Sequence, residues 1–292
     1  MKKNPFERGI FSRYDFRKPS IVVSYALMIV LIAIFGLFTL IPFAVTLLNS
    51  LKTRQEVFVF PVQYIPHKLM WHNYAEAWKF LDIWHYLKNT LAIMIGNLGF
   101  SMVIMGFAAY ALSHLEVPRR RFFVLFFMTT LLIPPTTYII PNFLNLKSLH
   151  LINTFWAFWL PSAANAFNLL LLRSFFNTIH KELFESVRMD GASEFRAYFQ
   201  IAVPLSIPVY ITLLIFSFNS SWNDWFWPWM VLQKQDMWPL ATAVYRYVIG
   251  SQVITWNVKF AVSFLLVIPP ILFFVFFQKY IVKGTNLGSV KG

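Results

Sequence analysis

Long apolar runs separated by short polar stretches give the first reading of this chain. Six of them, about Ile21–Leu48, Leu91–Leu112, Phe122–Leu144, Asn153–Leu172, Leu205–Phe218 and Phe260–Phe277, read as membrane spans. A bilayer core needs about 20 residues of predominantly apolar helix. The fifth run is short for a crossing and borrows from Ile201–Val203 before it or from Ser220–Trp227 after it. Pro134, Pro135 and Pro141 predict a bent or broken third span, because each removes a backbone donor. The expected fold class is an all-α polytopic membrane protein of six transmembrane helices.

Composition agrees with the pattern. The 292 residues are 58% hydrophobic and 13% charged, whereas a soluble domain is about 45–50% apolar and about 25% charged. The net charge of +13 would suit nucleic acid, but apolar runs this long make membrane topology its first explanation. Lysines and arginines number six before the first span, three at Arg119–Arg121, four over Arg173–Arg196 and three in the tail. The intervening loops hold five, one and three. The positive-inside rule therefore puts both termini and the Glu185–Pro204 segment in the cytoplasm. The first run has no cleavage site at signal-peptide distance and is too long for a signal, so it reads as a retained span. The expected segments are a cytoplasmic 1–20, a first helix 21–48, an extracytoplasmic loop 49–90, a core 91–281 with a polar loop at 175–204, and a cytoplasmic tail 282–292.

None of the six spans contains Asp, Glu, Lys, Arg or His, which argues against a proton-coupled pump or a voltage sensor. The chain has no GxxxxGK[ST] phosphate loop and no cysteine. Its six histidines, His67, His72, His85, His114, His150 and His180, are scattered, and no nucleophile elbow or carboxylate pair appears. No enzyme or metal site is expected. Directed transport would need energy from another protein, received on a cytoplasmic surface.

"ESVRMDGASEFRAYFQIAVP", Glu185–Pro204, has the character of such a surface. Lys181–Arg188 favours a helix, with Leu183 and Val187 on one face. Asp190-Gly191 breaks it, since glycine tolerates the positive φ of a helix end. Ser193 can cap a second helix, with Glu194 at its positive end and Phe195, Phe199 and Ala202 along one side. On these residues alone, an amphipathic loop lying on the lipid surface is the first reading.

Spacing adds a resemblance. Glu185, Asp190-Gly191-Ala192 and, nine residues after the glycine, Ile201-x-Val203-Pro204 resemble the "EAA" loop of ATP-binding-cassette importer permeases. Ser186 and Val187 replace the usual small pair. "IPPTTYIIPNF", "LHLINTFWAFWLPSAA", "SWNDWFWPWMVL" and the terminal "VKGTNLGSVKG" are similar to carbohydrate importer permeases of the maltose-system kind, in the complex-oligosaccharide subgroup. The resemblance covers nearly the whole chain. It implies that the polar loop is a cytoplasmic helix-turn-helix coupling element seated in an ATPase subunit. Glu185 would pair with a basic group there and Gly191 would set the turn. Phe195 or Phe199 would fill an apolar notch, with Ser186, Arg188, Asp190, Ala192 and Pro204 completing the surface. The tail, with Lys283, Gly284 and Lys291, would reach the ATPase dimer interface; on physics alone it is a frayed basic terminus.

The implied partners are a second homologous permease subunit, two ATPase subunits carrying ATP and Mg, an extracytoplasmic solute-binding protein and the bilayer. This chain itself is expected to hold no cofactor and bind no nucleic acid. Trp222, Asn223, Asp224 and Trp225 are candidates for contact with the binding protein, although an interfacial belt or a structural loop is the first reading for most of the tryptophans crowded there. Asn97, Ser101, Asn165, Asn168 and Tyr138 are candidates for the substrate path, or hold helices together as polar groups in bundles do. The outer loops carry nine bases against five acids. That suits an acidic, uronate-type oligosaccharide through long-range attraction, and loop charge does not exclude a disaccharide, a polyol or glycerol phosphate. A stand-alone facilitator and a membrane enzyme for lipid-linked sugars are the readings from other classes. The first has no use for the 185–204 spacing, and the second needs clustered acids or histidines.

Overall fold

A computed structural model describes residues 19–250 and 252–287, and all regular structure among them is helical. The six N-terminal bases and Lys291 lie outside the described residues. α1 (Pro19–Ser50) is an unbroken helix of 32 residues, about 48 Å long at 1.5 Å per residue. Its apolar side chains, from Val23 to Phe43, stand exposed all round. A helix apolar on every face and unburied by its own chain has lipid or another subunit as its surroundings.

The helices that follow are α2 (His72–Phe80), α3 (Ile83–His114), α4 (Arg120–Thr130), α5 (Ile139–Ser148), α6 (Trp156–Ser162), α7 (Ala166–Phe176), α8 (Lys181–Met189) and α9 (Glu194–Ala197). After a π-helical stretch, Tyr198–Ala202, come α10 (Val203–Leu205), α11 (Ile207–Asn223), α12 (Phe226–Val231), α13 (Leu240–Ala243), α14 (Trp256–Leu265) and α15 (Ile268–Leu287). Among the described residues, Pro19–Ser50, Ile83–His114 and Trp256–Tyr280 are each long and apolar enough to cross a membrane. Two bent pairs raise the number to five if each is one span.

The bends have identifiable causes. Arg120–Thr130 and Pro135–Ser148 meet at 93°, where Pro134 takes extended backbone with ψ 133° and Pro135 opens a short 3-10 turn. Glu194–Leu205 and Ile207–Asn223 meet at 75°, with Pro204 and Pro208 on either side of Ser206. The sequence read Asn153–Leu172 as one span, but the chain divides it into α6 and α7. Pro161 weakens the end of α6, and the Asn165 side chain accepts from the Asn168 N–H at 2.9 Å, capping a fresh helix. Each piece is shorter than a crossing requires.

Among the described residues two compact units emerge by contact, 19–75 with Thr255–Phe264, and 76–254 with 265–287. In the first, the Asn73 side chain donates to the Ser50 and Lys52 carbonyls at 2.7 and 2.9 Å, and Asn257 donates to Asn73 at 2.9 Å. These bonds satisfy the carbonyls that the end of α1 leaves open. In the second, α3 is the hub, packing against α6, α7 and α11. Ala109, Tyr110, Leu169, Leu172, Phe176 and Leu213 are buried in one apolar cluster there.

Close approach along α3 depends on glycine. A Cβ at Gly96 would overlap the indole of Trp159, whose Nε1 donates to the Ala92 carbonyl at 3.2 Å. Gly99, one turn on, has open space at the same place. Gly96→Ala is expected to cost about 1–3 kcal/mol through overpacking. Gly99→Ala should be neutral or slightly stabilising, because alanine favours a helix. Thermal unfolding of the two purified variants in detergent checks the contrast; equal midpoints would remove the Trp159 contact as a determinant of α3 packing.

Candidate functional site

The Glu185–Pro204 stretch folds as a helix, a turn and a second short helix. α8 ends where Gly191 takes φ 75°, the left-handed conformation that glycine adopts without a Cβ penalty. Its N–H donates to the Arg188 carbonyl at 3.0 Å, and the Ala192 N–H reaches back to Val187 at 3.1 Å. These bonds close the open carbonyls of α8 in a Schellman-type end. Ser193 caps α9 through a 3.4 Å bond from the Arg196 N–H. The turn, the break and the cap stand where the sequence predicted them.

A clasp, absent from the sequence reading, fixes this knob to α3. Arg188 Nε donates to Glu194 Oε1 at 2.7 Å, and Tyr110 Oη donates to Glu194 Oε2 at 2.7 Å. A second Arg188 nitrogen donates to the His114 carbonyl at 3.2 Å. The Arg188 hydrogen bond, reinforced by Tyr110, holds the Glu194 carboxyl below the usual carboxylate range. Beneath the clasp Phe184 is 1% exposed, its ring 4.0 Å from that of His114. Phe184, with Val187, is the anchor of α8, whereas Leu183 is exposed. Arg188 is thus engaged within the chain.

The outward face is different in character. Glu185, Ser186, Met189 and Asp190 are all exposed, Met189 at 88%. Phe195 and Phe199 are largely exposed while their edges rest on Phe107 at 5.4 and 5.7 Å between centroids. Pro204 is exposed and Ala192 half-buried. Lys283 and Gly284 lie on the backbone of α15.

Asn97, Asn165 and Asn168 come together around one polar cavity of about 320 Å³, joined by Ser101, Ser162, Ser217, Asn219 and Ser220. Asn168 donates to Ser101 Oγ at 2.7 Å, and Ser162 donates to the Asn97 carbonyl at 3.1 Å. Asn97 Oδ1 is buried with no partner among the described residues. The lining sets amides and hydroxyls among Leu98, Phe167, Leu213 and Phe216 and carries no charge. Such a surface offers donors and acceptors to a polyhydroxyl compound without fixing a counter-charge. Tyr138 is not part of it; it ends the Pro135–Tyr138 turn. Ser101 was singled out with Asn97, whereas Ser162, Ser217, Asn219 and Ser220 were missed, although "SFNSSWN" is a polar interruption of an otherwise apolar helix.

The tryptophan cluster is largely engaged within the chain. Trp222 stacks on Phe218 at 5.4 Å and Trp225 on Tyr245 at 3.7 Å. Asp224 accepts from the Trp227 N–H at 3.1 Å, and Asn223 donates back to the Asn219 carbonyl at 2.8 Å. Aromatic stacking and capping account for these four positions structurally, and Asn223 is exposed.

Comparison with known proteins places the chain in a family. Residues 103–286 match the family described as the binding-protein-dependent transport system inner membrane component. The diacetylchitobiose uptake system permease protein of Streptomyces coelicolor is 29% identical over 278 residues, covering 92% of this chain and 88% of its own. The polygalacturonan/rhamnogalacturonan transport system permease protein of Bacillus subtilis is 30% identical, covering 88% of this chain and 94% of its own. Among solved structures, a chain of a bacterial ABC transporter involved in the import of the acidic polysaccharide alginate superposes with a TM-score of 0.81. It is 25% identical and covers 90% of this chain and 98% of that one. Its apolar helices and these matches make the chain a member of the binding-protein-dependent transport system inner membrane component family, a membrane-embedded permease of the carbohydrate ABC importer kind.

Proposed function

We propose that the chain is one of two permease subunits of an ATP-driven importer that passes an oligosaccharide from a solute-binding protein to the cytoplasm by alternating access. The observation that carries this reading is the pairing of a clasped helix-turn-helix knob with an uncharged polar cavity on the same helix, α3. Six spans with both termini cytoplasmic follow if α6 and α7 together complete the fourth crossing. Two ATPase subunits with ATP and Mg would sit on the cytoplasmic side and supply the energy.

The knob suits a socket in an ATPase subunit. Glu185, Ser186, Met189 and Asp190 face outward, so Glu185 is free to meet a basic group there. Gly191 sets the turn, and Ala192, Phe195, Phe199 and Pro204 extend the contact. The clasp keeps the knob moving with α3 instead of bending under load. Lys283, Gly284 and Lys291 would extend the contact toward the ATPase dimer interface. Trp222, Asn223, Asp224 and Trp225 shape the outer loop that the binding protein would meet, with exposed Asn223 the first candidate for direct contact.

For the cargo, relatives named for diacetylchitobiose, polygalacturonan and arabinooligosaccharides support an oligosaccharide, as does a lining of amides and hydroxyls. Uronate-type oligomers are the first to test, given the net positive outer loops and the alginate importer's likeness. Within this chain the path itself carries no cation to hold a carboxylate, so any preference for acid would come from outer-loop steering or from partner subunits.

ATP hydrolysis by the reconstituted complex tests the coupling. Glu185→Ala is expected to lose most of the stimulation by loaded binding protein, or to assemble poorly. An unchanged response would make Glu185 a surface acid and leave docking to Gly191 and its apolar neighbours. Asn168→Leu is expected to slow oligosaccharide uptake about tenfold, the effect of about 1.4 kcal/mol at one contact, while the binding-protein-stimulated hydrolysis persists. Uptake at the wild-type rate would take the cavity out of the path.

A further inference from the structure

The N-terminal end of α4 and the C-terminal end of α7 enclose a second pocket, of about 440 Å³, lined by Arg120, Arg121, Arg173, Val124 and Leu125. No carboxylate is part of it. Among the described residues the ion pairs are Arg188 with Glu194 and His180 with Glu182, and neither involves these arginines. Arg120 has only a long 3.4 Å bond to Asn177 Oδ1. Arg173 Nε is buried with no partner, and the Arg120 charge lies close enough to oppose that of Arg173. Buried donors and like charges left uncompensated are costly. The first turn of α4 adds the positive end of an 11-residue helix, entered through Arg119 at φ 52°.

We propose that this pocket binds the phosphate of an anionic phospholipid, with Arg120, Arg121 and Arg173 around the headgroup and its chains running down α4. The apolar side of the pocket distinguishes a lipid from a soluble anion. Val124 and Leu125 line it beside the arginines, and Leu125 continues into an exposed apolar surface of α4 with Phe122 and Phe126. These residues recur at helical spacing, giving acyl chains a continuous apolar track. The arginines also lie on the side that the positive-inside rule assigns to the cytoplasm, where anionic lipid concentrates. The site rests on the membrane reading of the chain and is independent of the cargo.

Native mass spectrometry of the full-length chain, incubated with phosphatidylglycerol and phosphatidylcholine together, tests the site. The wild type is expected to retain phosphatidylglycerol over phosphatidylcholine by about thirtyfold, the attraction of two or so arginines near a surface. The double variant Arg120→Gln/Arg173→Gln should fall to about fivefold, the share left to Arg121. Arg121 is exposed, so Arg121→Gln leaves packing intact and should lower the preference about fivefold. Lys88→Gln and Lys147→Gln, outside the pocket, should keep it. Equal retention of the two lipids by the wild type, or full preference in the arginine variants, would overturn the proposal. Displacement of bound phosphatidylglycerol by inorganic phosphate alone would also overturn it, showing a soluble-anion site instead.

Discussion

The attachment of the knob to α3 centres on one carboxylate. Glu194 accepts from Arg188 on α8 and from Tyr110 on α3, so three elements meet on one side chain. Charge-assisted bonds of this kind are shorter and stronger than neutral ones. The pair is about two-fifths exposed, so solvent screens it, and its value lies in geometry more than in raw energy. Phe184 supplies the apolar half of the joint, buried against His114 and Tyr110.

The same helix carries Asn97 and Ser101 at the polar cavity. Asn97 and His114 are about 26 Å apart along an unbroken helix at 1.5 Å per residue. On the proposed function, in which the knob docks and the cavity takes cargo, a rigid element joining the two is a physical route for coupling, needing no chain of small adjustments. Glycine lets this hub work, because Gly96 and Gly106 admit Trp159 and Tyr198 where a Cβ would collide. Where the chain does break, at Pro134, Ala163–Asn165 and Ser206, the freed backbone groups are answered by caps and short turns. Lipid offers no partner for them otherwise.

Much of this was legible in the sequence because it rests on local chemistry. Apolar runs give spans, Asp190-Gly191 gives the turn and Ser193 gives the cap. Asn97, Asn165 and Asn168 stood out as polar groups in apolar surroundings, and they converge. The clasp was not legible: Tyr110 and Glu194 are 84 positions apart, and no local pattern links a span tyrosine to a loop acid. Phe184 was overlooked in favour of Leu183 because a four-residue spacing chose the face, while the observed face follows the three-residue step to Val187. The fourth span was read whole because hydropathy does not register that Pro161 and a capping Asn165 divide it. Tyr138 was grouped with the path by its neighbourhood of prolines, and the break that those prolines make keeps it out of the cavity lining.

The central claim is that the knob seats in an ATPase subunit, and the chain's lack of cysteine makes it directly measurable. Ala192→Cys places a unique thiol beside the turn, to be labelled with a water-soluble maleimide in the presence and absence of the partner ATPase subunits. The account predicts strong protection of that thiol when the ATPase subunits are bound, and full reactivity without them. Equal labelling in both conditions would contradict it.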